Sequence, residues 1–333
     1  MNTQADLQPG TVIAGEFVVV RLLGRGGMGA VYVVQQRSTQ VPRALKVMRP
    51  ELLSDSKLRV RFEREATVAS GIASEHVVKV LLAGFDAPTG MPFIVSELLD
   101  GEDLEAVIQR RGRLPWQEAK LLLAQLCHGL GGAHAIGVVH RDLKPENVFV
   151  ARSHRADVPF TVKILDFGIA KVVAEAMRTS QATQSLGTPL FMAPEQADPR
   201  AGVSPATDVW ALGLVAFRML TARFYWLSAN LEEAGLSALL GEILAGPMSG
   251  ASQRLQEIGA PTALPAAFDG WFARCLQRDP QQRFQNASEA WEAFSRLEVD
   301  PAWELATGDV IDEARPPLAQ HLIPTITVGA QAV

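Results

Sequence analysis

The chain has 333 residues, of which 48% are hydrophobic and 20% are charged, and its formal net charge is −5. This composition is typical of a globular protein, and the negative charge gives no electrostatic basis for binding nucleic acid or an anionic membrane. The length exceeds the size at which a single hydrophobic core usually stops growing. We therefore expect one large two-lobed domain or two domains.

The cysteines and the lack of long apolar runs indicate the cellular compartment in which we expect the protein. Cys127 and Cys275 each lie in an apolar helical pattern, which predicts buried free thiols and neither a disulfide nor a metal site. The first ten residues are polar and lack the apolar core of a signal peptide. No run approaches the roughly 18 apolar residues that a membrane span needs. We expect a cytoplasmic location, with no membrane segment in this chain.

A glycine-rich stretch separates the first two predicted strands, residues 17–23 and 30–34. Gly24, Gly26 and Gly29 would let the backbone approach phosphate groups closely. A plain tight turn is the alternative, since a single G-x-G-x-x-G pattern is a weak signal. A dinucleotide-binding fold needs a helix after the glycines, whereas β-branched residues follow here. We therefore predict a loop that covers a nucleotide from above.

A third predicted strand, residues 43–48, carries one lysine, Lys46, among apolar neighbours. A buried lysine is costly unless it is paired. Its candidate partner is Glu65, on a helix predicted over residues 57–70; the alternative for Glu65 is a solvated helix charge. A five-stranded antiparallel sheet with one helix is completed by two more predicted strands, residues 77–82 and 92–96.

The sequence His140-Arg141-Asp142-Leu143-Lys144-Pro145-Glu146-Asn147 follows a connector at residues 97–101 and two predicted helices, residues 103–111 and 116–136. Asp142 can accept the hydrogen bond of an attacking Ser or Thr hydroxyl, and Lys144 can neutralise charge on a moving phosphoryl group. Asn147 offers an oxygen to Mg²⁺. Taken alone, this octet could also be an ordinary charged loop.

Asp166 follows two short predicted strands, residues 148–150 and 161–165, which a polar loop separates. A carboxylate at a strand end beside Asn147 would complete a Mg²⁺ site, whereas without the octet an Asp-x-Gly turn would be preferred. Residues 170–186 show no clear hydrophobic period, which predicts a mobile loop. The loop carries four candidate hydroxyl groups, on Thr179, Ser180, Thr183 and Ser185.

The last part of the chain is predicted to be mainly helical. Residues 187–195 close the mobile loop, and a buried helix over residues 207–220 begins near Asp208. A carboxylate suits the positive N-terminal end of a helix, and simple capping is a compatible alternative. Beyond it we predict helices over residues 230–244, 268–278 and 288–297, loops around residues 247–265, and an extended tail after Pro301.

Taken together and in this order, the motifs resemble the Hanks-type (eukaryotic-like) serine/threonine protein kinase catalytic domain. The Ala-Pro-Glu-Gln run and the alanine-rich helices look most like the bacterial branch. The resemblance implies an α+β, two-lobed protein kinase fold, with a small antiparallel five-stranded β lobe that has one helix and a larger, mainly helical lobe. The implied segments are an N-terminal extension at 1–11, a kinase domain at 12–298 (N-lobe 12–96, hinge 97–101, C-lobe 102–298) and a partly disordered tail at 299–333.

The resemblance also implies a role for each matching residue. The implied catalytic residues are Asp142 as the base, Lys144 and Thr188, and the implied Mg²⁺ ligands are Asn147 and Asp166. Those implied to bind ATP are Gly24, Gly26, Gly29, Val31, Ala44, Lys46, Glu65, Glu97 and Leu99. Those with structural roles are Arg141, Glu195, Asp208 and Arg283, with Glu195 and Arg283 as an ion pair and Asp208 as the anchor of the catalytic loop.

The implied reaction is transfer of the γ-phosphate of ATP to Ser and Thr hydroxyls of proteins, in bacterial signalling. The implied metal is Mg²⁺, with Mn²⁺ as an alternative, and the implied partners are protein substrates and no nucleic acid. Arg141, ahead of the base, implies control by autophosphorylation at Thr179, Ser180, Thr183 or Ser185. A homodimer would serve this reaction in trans.

Two other functions stay open as alternatives. A pseudokinase scaffold usually lacks the lysine, the base or a metal ligand, and none of these is lost here. A small-molecule phosphotransferase can share the His-x-Asp-x-x-x-x-Asn pattern, but residues 187–195 resemble a docking surface for protein substrates.

The sequence also departs from the family pattern. Ser96 stands where a larger residue is usual and Leu98 replaces the common hinge aromatic, which bears on inhibitor fit. Residues 151–160 lengthen a loop and residues 226–250 lack the common Pro-Phe segment, which bears on partners.

Overall fold

The fold is described from a computed structural model of the chain. The structure describes residues 7–26, 29–49, 56–153, 158–167, 189–198, 200–230, 235–260 and 263–300. All structural statements below concern these residues.

The N-terminal lobe is built on one antiparallel sheet with the strand order β1-β2-β3-β4-β6-β5. Its strands are Val12–Ile13 (β1), Phe17–Gly26 (β2), Gly29–Gln36 (β3), Pro42–Met48 (β4), Val80–Phe85 (β5) and Pro92–Glu97 (β6). The prediction of five strands was therefore wrong by one. The additional strand, β1, has only two residues, which is too short to show the period of two that identifies a strand in a sequence.

The predicted strand over residues 77–82 begins later than expected, at Val80. Val77 instead forms an isolated parallel bridge with Ile164, and the Val78 N–H donates to the Ile164 carbonyl oxygen at 3.0 Å. These apolar residues therefore tie the N-terminal lobe to the C-terminal lobe. The alternation of apolar residues in the sequence could not show whether they form this contact or belong to the sheet.

One helix, Ser56–Ser70 (α1), packs against β5. Phe62 and Ala66 are buried, one helical turn apart, and the Phe62 ring meets the Phe85 ring edge-on with the centroids 5.7 Å apart. The spacing of four residues places both side chains on one face of the helix. The core of the sheet lies on one side of the strands and is formed by Phe17, Val19, Tyr32, Val34, Leu45, Val47, Phe93 and Val95.

The C-terminal lobe is mainly helical. Its helices are Leu104–Arg111 (α2), Trp116–Ala135 (α3), Pro205–Thr221 (α4), Leu236–Ala245 (α5), Ala251–Glu257 (α6), Ala266–Cys275 (α7) and Ala287–Ser295 (α8). Every residue of α4 from Ala206 to Thr221 is buried, as expected of a helix that is apolar on all sides. Helix α6 corrects the prediction of loops around residues 247–265, because its seven residues lie among turn-forming glycines and prolines that mask the helical period.

A small sheet lies beside the helices and has the strand order β7-β8-β9. Its strands are Gly101–Asp103 (β7), Val148–Arg152 (β8) and Phe160–Ile164 (β9). The octet lies between α3 and β8, and Asp166 lies two residues after β9. The two short strands around the polar loop were predicted, whereas β7 has only three residues and was missed.

The thiols agree with a further prediction. Cys127 and Cys275 are buried and free, and burial raises the pKa of both thiols above the ordinary value. No helix within the described ranges is both long enough and apolar enough to cross a membrane.

Candidate active site

A cavity of about 530 Å³ lies between the large sheet and the C-terminal lobe. It brings together most of the residues predicted to bind ATP. Its lining includes Gly24, Val31, Ala44, Lys46, Glu97, Leu99 and Asp166, together with Leu23, Ile94, Ser96, Leu98, Glu146, Phe149 and Leu165. The upper wall therefore comes from the glycine-rich hairpin and β4, and the lower wall comes from the octet, β8 and the segment that follows β9.

The hairpin of β2 and β3 covers one side of this cavity. Gly26 ends β2, and Gly29 begins β3 and pairs with Met48 of β4. A Cβ atom at Gly29 would clash with the Val47 carbonyl oxygen. The glycine at this position is therefore explained by the close approach of β3 to β4, whether or not a phosphate group lies nearby.

The connector between the lobes offers backbone groups to a ligand. Within the described part of the chain, the N–H and C=O groups of Leu99 form no hydrogen bond. The Glu97 carboxylate is already held, because the Lys163 ammonium lies 2.8 Å from it and the Lys79 N–H donates to it at 2.9 Å. Leu99 can thus bind a planar heterocycle through its backbone, while the Glu97 side chain stabilises the connector.

Lys46 forms an ion pair with Asp166, and its Nζ lies 2.6 Å from Asp166 Oδ2. Burial would raise the pKa of Asp166, but the Lys46 charge and hydrogen bond outweigh it and hold the pKa below the ordinary value. About a third of the Asp166 side-chain surface remains exposed, so we regard its desolvation as partial. Glu65 lies on α1 one residue before the cavity-lining Ala66, and its pairing with Lys46 stays a prediction.

Asp166 also has an unusual backbone conformation, with a φ angle of 61°. Left-handed backbone costs roughly 1–2 kcal/mol for a residue other than glycine. Such strain persists where the surrounding structure fixes it, and it is common at functional sites. The Leu165 N–H donates to the Asn147 carbonyl oxygen at 2.9 Å, which places Asp166 beside Asn147.

The side chains of the octet are connected to one another. Asn147 Nδ2 donates to the Asp142 carbonyl oxygen at 2.7 Å and to Asp142 Oδ2 at 3.1 Å. Within the described residues, this leaves Asn147 Oδ1 as the free oxygen of the amide. Lys144 Nζ lies 3.3 Å from Asp142 Oδ2. The structure therefore brings the predicted base, cation and metal ligand into one cluster.

Asp208 anchors the backbone of the octet from α4. Its Oδ2 accepts the His140 N–H at 2.8 Å and its Oδ1 accepts the Arg141 N–H at 2.9 Å. A residue that only capped its own helix would not form these bonds, so Asp208 does more than the helix capping that was the alternative. They hold Arg141, whose φ angle of 71° is also left-handed, directly before Asp142.

His134 is a residue of this site that the sequence argument missed. Its Nε2 lies 2.9 Å from Asp208 Oδ2, and its Nδ1 accepts the Ala287 N–H of α8 at 3.2 Å. Because Nδ1 accepts, Nε2 carries the proton and donates to Asp208. The only sequence signal was a histidine in the last turn of the helix that precedes the octet.

His140 links the octet to Phe167. Its Nε2 lies 2.7 Å from the Leu165 carbonyl oxygen, and its ring meets the Phe167 ring at 4.7 Å between centroids. The Asp142 N–H lies 3.3 Å from His140 Nδ1. The octet, which is the predicted catalytic loop, and the segment that carries Asp166 are therefore held by one side chain.

Glu195 and Arg283 form a buried, two-pronged ion pair. The Arg283 guanidinium donates to both Glu195 oxygens at 2.8 Å, and the Thr207 hydroxyl donates to Glu195 at 2.8 Å. Arg283 also donates to the Ala206 and Gln277 carbonyl oxygens at 2.9 and 2.6 Å. This pair fixes the end of residues 189–195, which we call the docking segment. Among the predicted site residues, Thr188 and the hydroxyl residues Thr179, Ser180, Thr183 and Ser185 lie outside the described residues.

Comparison with known proteins identifies the family. Residues 17–293 match the family described as the protein kinase domain. The chain belongs to this family. The predicted resemblance and the two-lobed α+β fold are thereby confirmed.

The similar proteins are bacterial kinases. The kinase domain is 37% identical over 277 residues to the serine/threonine-protein kinase Pkn1 of Myxococcus xanthus, which covers 82% of this chain and 37% of that protein. The whole chain is 31% identical to PknH of Mycobacterium tuberculosis, in an alignment of 337 residues that covers 100% of this chain and 50% of that protein. The chain thus spans between about a third and a half of the length of these curated relatives.

A solved structure shares the fold. The crystal structure of the Mycobacterium tuberculosis PknI kinase domain superposes with a TM-score of 0.65 at 26% identity, covering 87% of this chain and 99% of that chain. Protein kinases use ATP and a divalent metal ion. Asn147 and Asp166 suit such an ion, since Mg²⁺ takes few protein ligands and completes its shell with phosphate oxygens and water.

Proposed function

We propose that this chain is a serine/threonine protein kinase that transfers the γ-phosphate of ATP to protein hydroxyl groups. The observation that supports it is the convergence on one cavity of Lys46 and Asp166, next to the hydrogen-bonded cluster of Asp142, Lys144 and Asn147. Each position that the chemistry requires is filled by a competent side chain. This argues against the pseudokinase alternative.

In this proposal the cavity orients ATP. The adenine binds the free backbone groups of Leu99, between Val31 and Ala44 above and Phe149 and Leu165 below. Lys46 holds the α- and β-phosphates. Asn147 Oδ1 and the Asp166 carboxylate would hold Mg²⁺, which when bound neutralises charge on the phosphates, and Mn²⁺ would suit the same oxygen ligands.

Asp142 acts as the base for the attacking hydroxyl. Its carboxylate is oriented by Asn147 and neighbours the Lys144 ammonium. The carboxylate accepts the hydroxyl proton as the oxygen attacks the γ-phosphorus. The bond from this phosphorus to the oxygen that bridges to the β-phosphate breaks, so that ADP leaves, and Lys144 stabilises charge on the transferred group. The resemblance to the family assigns to Thr188 a hydrogen bond to the base and a part in selecting a hydroxyl substrate.

The protein substrate lies along the docking segment. The Leu190 carbonyl oxygen accepts the Trp226 indole N–H at 2.8 Å, and the Phe191 ring packs on the Phe224 ring at 6.5 Å between centroids. The segment is therefore supported from the chain between α4 and α5. Its half-buried apolar side chains suit a polypeptide better than a small polar substrate.

Control by phosphorylation is the final part of the proposal. A phosphate on Thr179, Ser180, Thr183 or Ser185 would pair with Arg141, which directly precedes the base. A transient homodimer would allow one copy to phosphorylate the other. The buried free thiols suit a reducing, cytoplasmic location.

The experiment is transfer of labelled phosphate from ATP with Mg²⁺, first with the purified chain alone and then with myelin basic protein. Lys46→Met is the matched inactive variant. Label on Ser or Thr that is lost in the variant supports the proposal, and peptide mapping should place autophosphorylation within residues 179–185. Equal labelling by both proteins would contradict it.

A further inference from the structure

Gln196 bridges the docking segment and the catalytic loop. It lies in the short turn Pro194–Ala197, directly after Glu195. Its Oε1 accepts the Ala193 N–H at 2.9 Å, and its Nε2 donates to the Arg141 carbonyl oxygen at 2.6 Å. One amide thus uses its acceptor within its own turn and its donor on a loop 55 residues away.

The peptide group that Gln196 holds is the one between Arg141 and Asp142. A peptide is planar, so the Arg141 oxygen and the Asp142 N–H turn together. The Asp142 N–H faces His140 Nδ1 at 3.3 Å, and the Gln196 amide holds the opposite edge of the same plane. Rotation of this plane would move the Asp142 Cα and its carboxylate.

This peptide needs to be held, because Arg141 has a φ angle of 71°. Asp208 fixes the N–H of Arg141, but that bond lies on the preceding peptide. Gln196 is therefore the side chain that fixes the carbonyl side of the strained residue. Without it, relaxation of Arg141 would turn the peptide that carries the base.

The other end of the bridge is rigid. Gln196 follows Glu195, which is locked by two hydrogen bonds from the buried Arg283. Ala193, whose N–H the amide accepts, is itself buried and precedes Pro194. The amide thus transmits the position of the docking segment to the catalytic loop.

We propose that Gln196 is a positioning residue that couples the docking segment to the orientation of the Asp142 carboxylate. The inference rests on the proposed kinase function. It assigns a role in turnover to the glutamine after Ala-Pro-Glu, whereas the neighbouring Glu195 forms the buried ion pair with Arg283.

Two substitutions separate the two bonds. Gln196→Met keeps the length of the side chain and loses both bonds. Gln196→Glu keeps the acceptor for the Ala193 N–H but directs a carboxylate at the Arg141 carbonyl oxygen. The matched control is Gln125→Met, because the Gln125 amide also bridges two elements, accepting the Val162 N–H at 2.7 Å and donating to the Phe160 carbonyl oxygen at 3.3 Å away from the site.

The measurement is the single-turnover rate of phosphate transfer to myelin basic protein. We expect both Gln196 variants to lose about tenfold in this rate, with unchanged ATP affinity and protein KM. Tenfold is the effect of one hydrogen bond, and the bond that both variants lose is the one to the Arg141 carbonyl oxygen. The control variant should lose thermal stability but keep the rate. For Gln196→Glu, the ratio of variant to wild-type rate should rise as the pH falls, since a protonated carboxyl can donate to Arg141 again.

A second readout does not depend on activity. Hydrogen–deuterium exchange across residues 138–147 should be faster in Gln196→Met than in the wild type and unchanged in the Gln125→Met control. Wild-type rates in both Gln196 variants, a flat pH ratio or unchanged exchange would overturn the inference. A wild-type chain that transfers no phosphate would instead overturn the proposed function, and the exchange result would still decide whether Gln196 holds the loop.

Discussion

Lys46 Nζ lies 2.6 Å from Asp166 Oδ2 and joins β4 of the N-terminal lobe to the segment after β9 in the C-terminal lobe. The two residues are 120 positions apart in the sequence. The pair keeps the Asp166 carboxylate ionised, because the lysine charge and hydrogen bond outweigh the effect of burial on its pKa. At neutral pH the carboxylate is therefore ionised.

This pair predicts how Lys46→Met changes stability with pH. In the wild type the pKa of Asp166 is below its unfolded value of about 3.9, so its stabilising contribution is present above that pH and is lost as the pH falls through the folded pKa. In the variant the two largest influences that lower the pKa are gone, so burial, which raises the pKa, is opposed only by the weaker effects of His140 and Lys144. The deficit in melting temperature should thus be largest near pH 7 and shrink towards about pH 4.

The measurement is thermal unfolding of both proteins without nucleotide across that pH range. Lys163→Met is a useful control, since Lys163 pairs with Glu97 in the connector and, among the described ion pairs, has none with Asp166. A deficit that grows on acidification would contradict the account.

The buried ion pair of Glu195 and Arg283 predicts a large loss of stability on breaking it. Arg283→Met leaves the Glu195 carboxylate buried, with only the Thr207 hydroxyl as a described donor. Removing one partner of such a pair costs about 3–5 kcal/mol of unfolding free energy. Urea denaturation measures this cost.

The control for that measurement is Arg296→Met, which removes the exposed pair of Arg296 and Glu292. Exposed pairs four residues apart in a helix contribute about 0.3–0.5 kcal/mol. Similar losses of unfolding free energy from the two substitutions would contradict the burial of the pair of Glu195 and Arg283.

The bonds of His134 predict a graded effect on turnover. His134→Leu removes the donor to Asp208 and the acceptor for α8, whereas His134→Gln keeps a donor at the ε position. We expect about a tenfold lower kcat for the leucine variant and partial rescue by the glutamine variant, each with unchanged ATP affinity. Equal kcat values for the two variants would indicate that the bond to Asp208 does not matter.

Ser96 predicts the size of ligand that the cavity accepts. It lines the cavity with Ala66, Val77 and Ile94, so a small side chain there leaves apolar space. The wild type should bind ATP analogues with a bulky adenine substituent, and Ser96→Phe should bind ATP but not the analogues. Ser96→Ala is the size control, and competition binding is the measurement. Equal analogue affinity in all three proteins would contradict the placement of this space.

The sequence was sufficient for side chains that act within short motifs. Asp142, Lys144 and Asn147 lie within six residues, so their spacing alone predicted the cluster, and Asp208 was found as the start of an apolar helix. His134 and Gln196 were not found, because their partners lie 74 and 55 residues away and neither residue type is distinctive. The bounds of short elements failed for a similar reason, as the hydrogen bonds that define β1 and β7 depend on neighbouring strands.

The roles of Lys46 and Glu65 show the same limit. The sequence predicted that a lysine on a central strand needs a partner, which is a matter of charge and burial. The partner named from the sequence was Glu65, whereas the ion pair described in the structure is with Asp166, and the pairing with Glu65 stays a prediction.

The most direct test of the central claim is the transfer rate of Asp142→Asn beside that of the wild type, with ATP binding measured on the same samples. The asparagine keeps the shape of the side chain and loses the base. We predict that the single-turnover rate falls about 10²–10⁴-fold while the ATP dissociation constant is unchanged. A variant that transfers phosphate at the wild-type rate would contradict the assignment of Asp142 as the base.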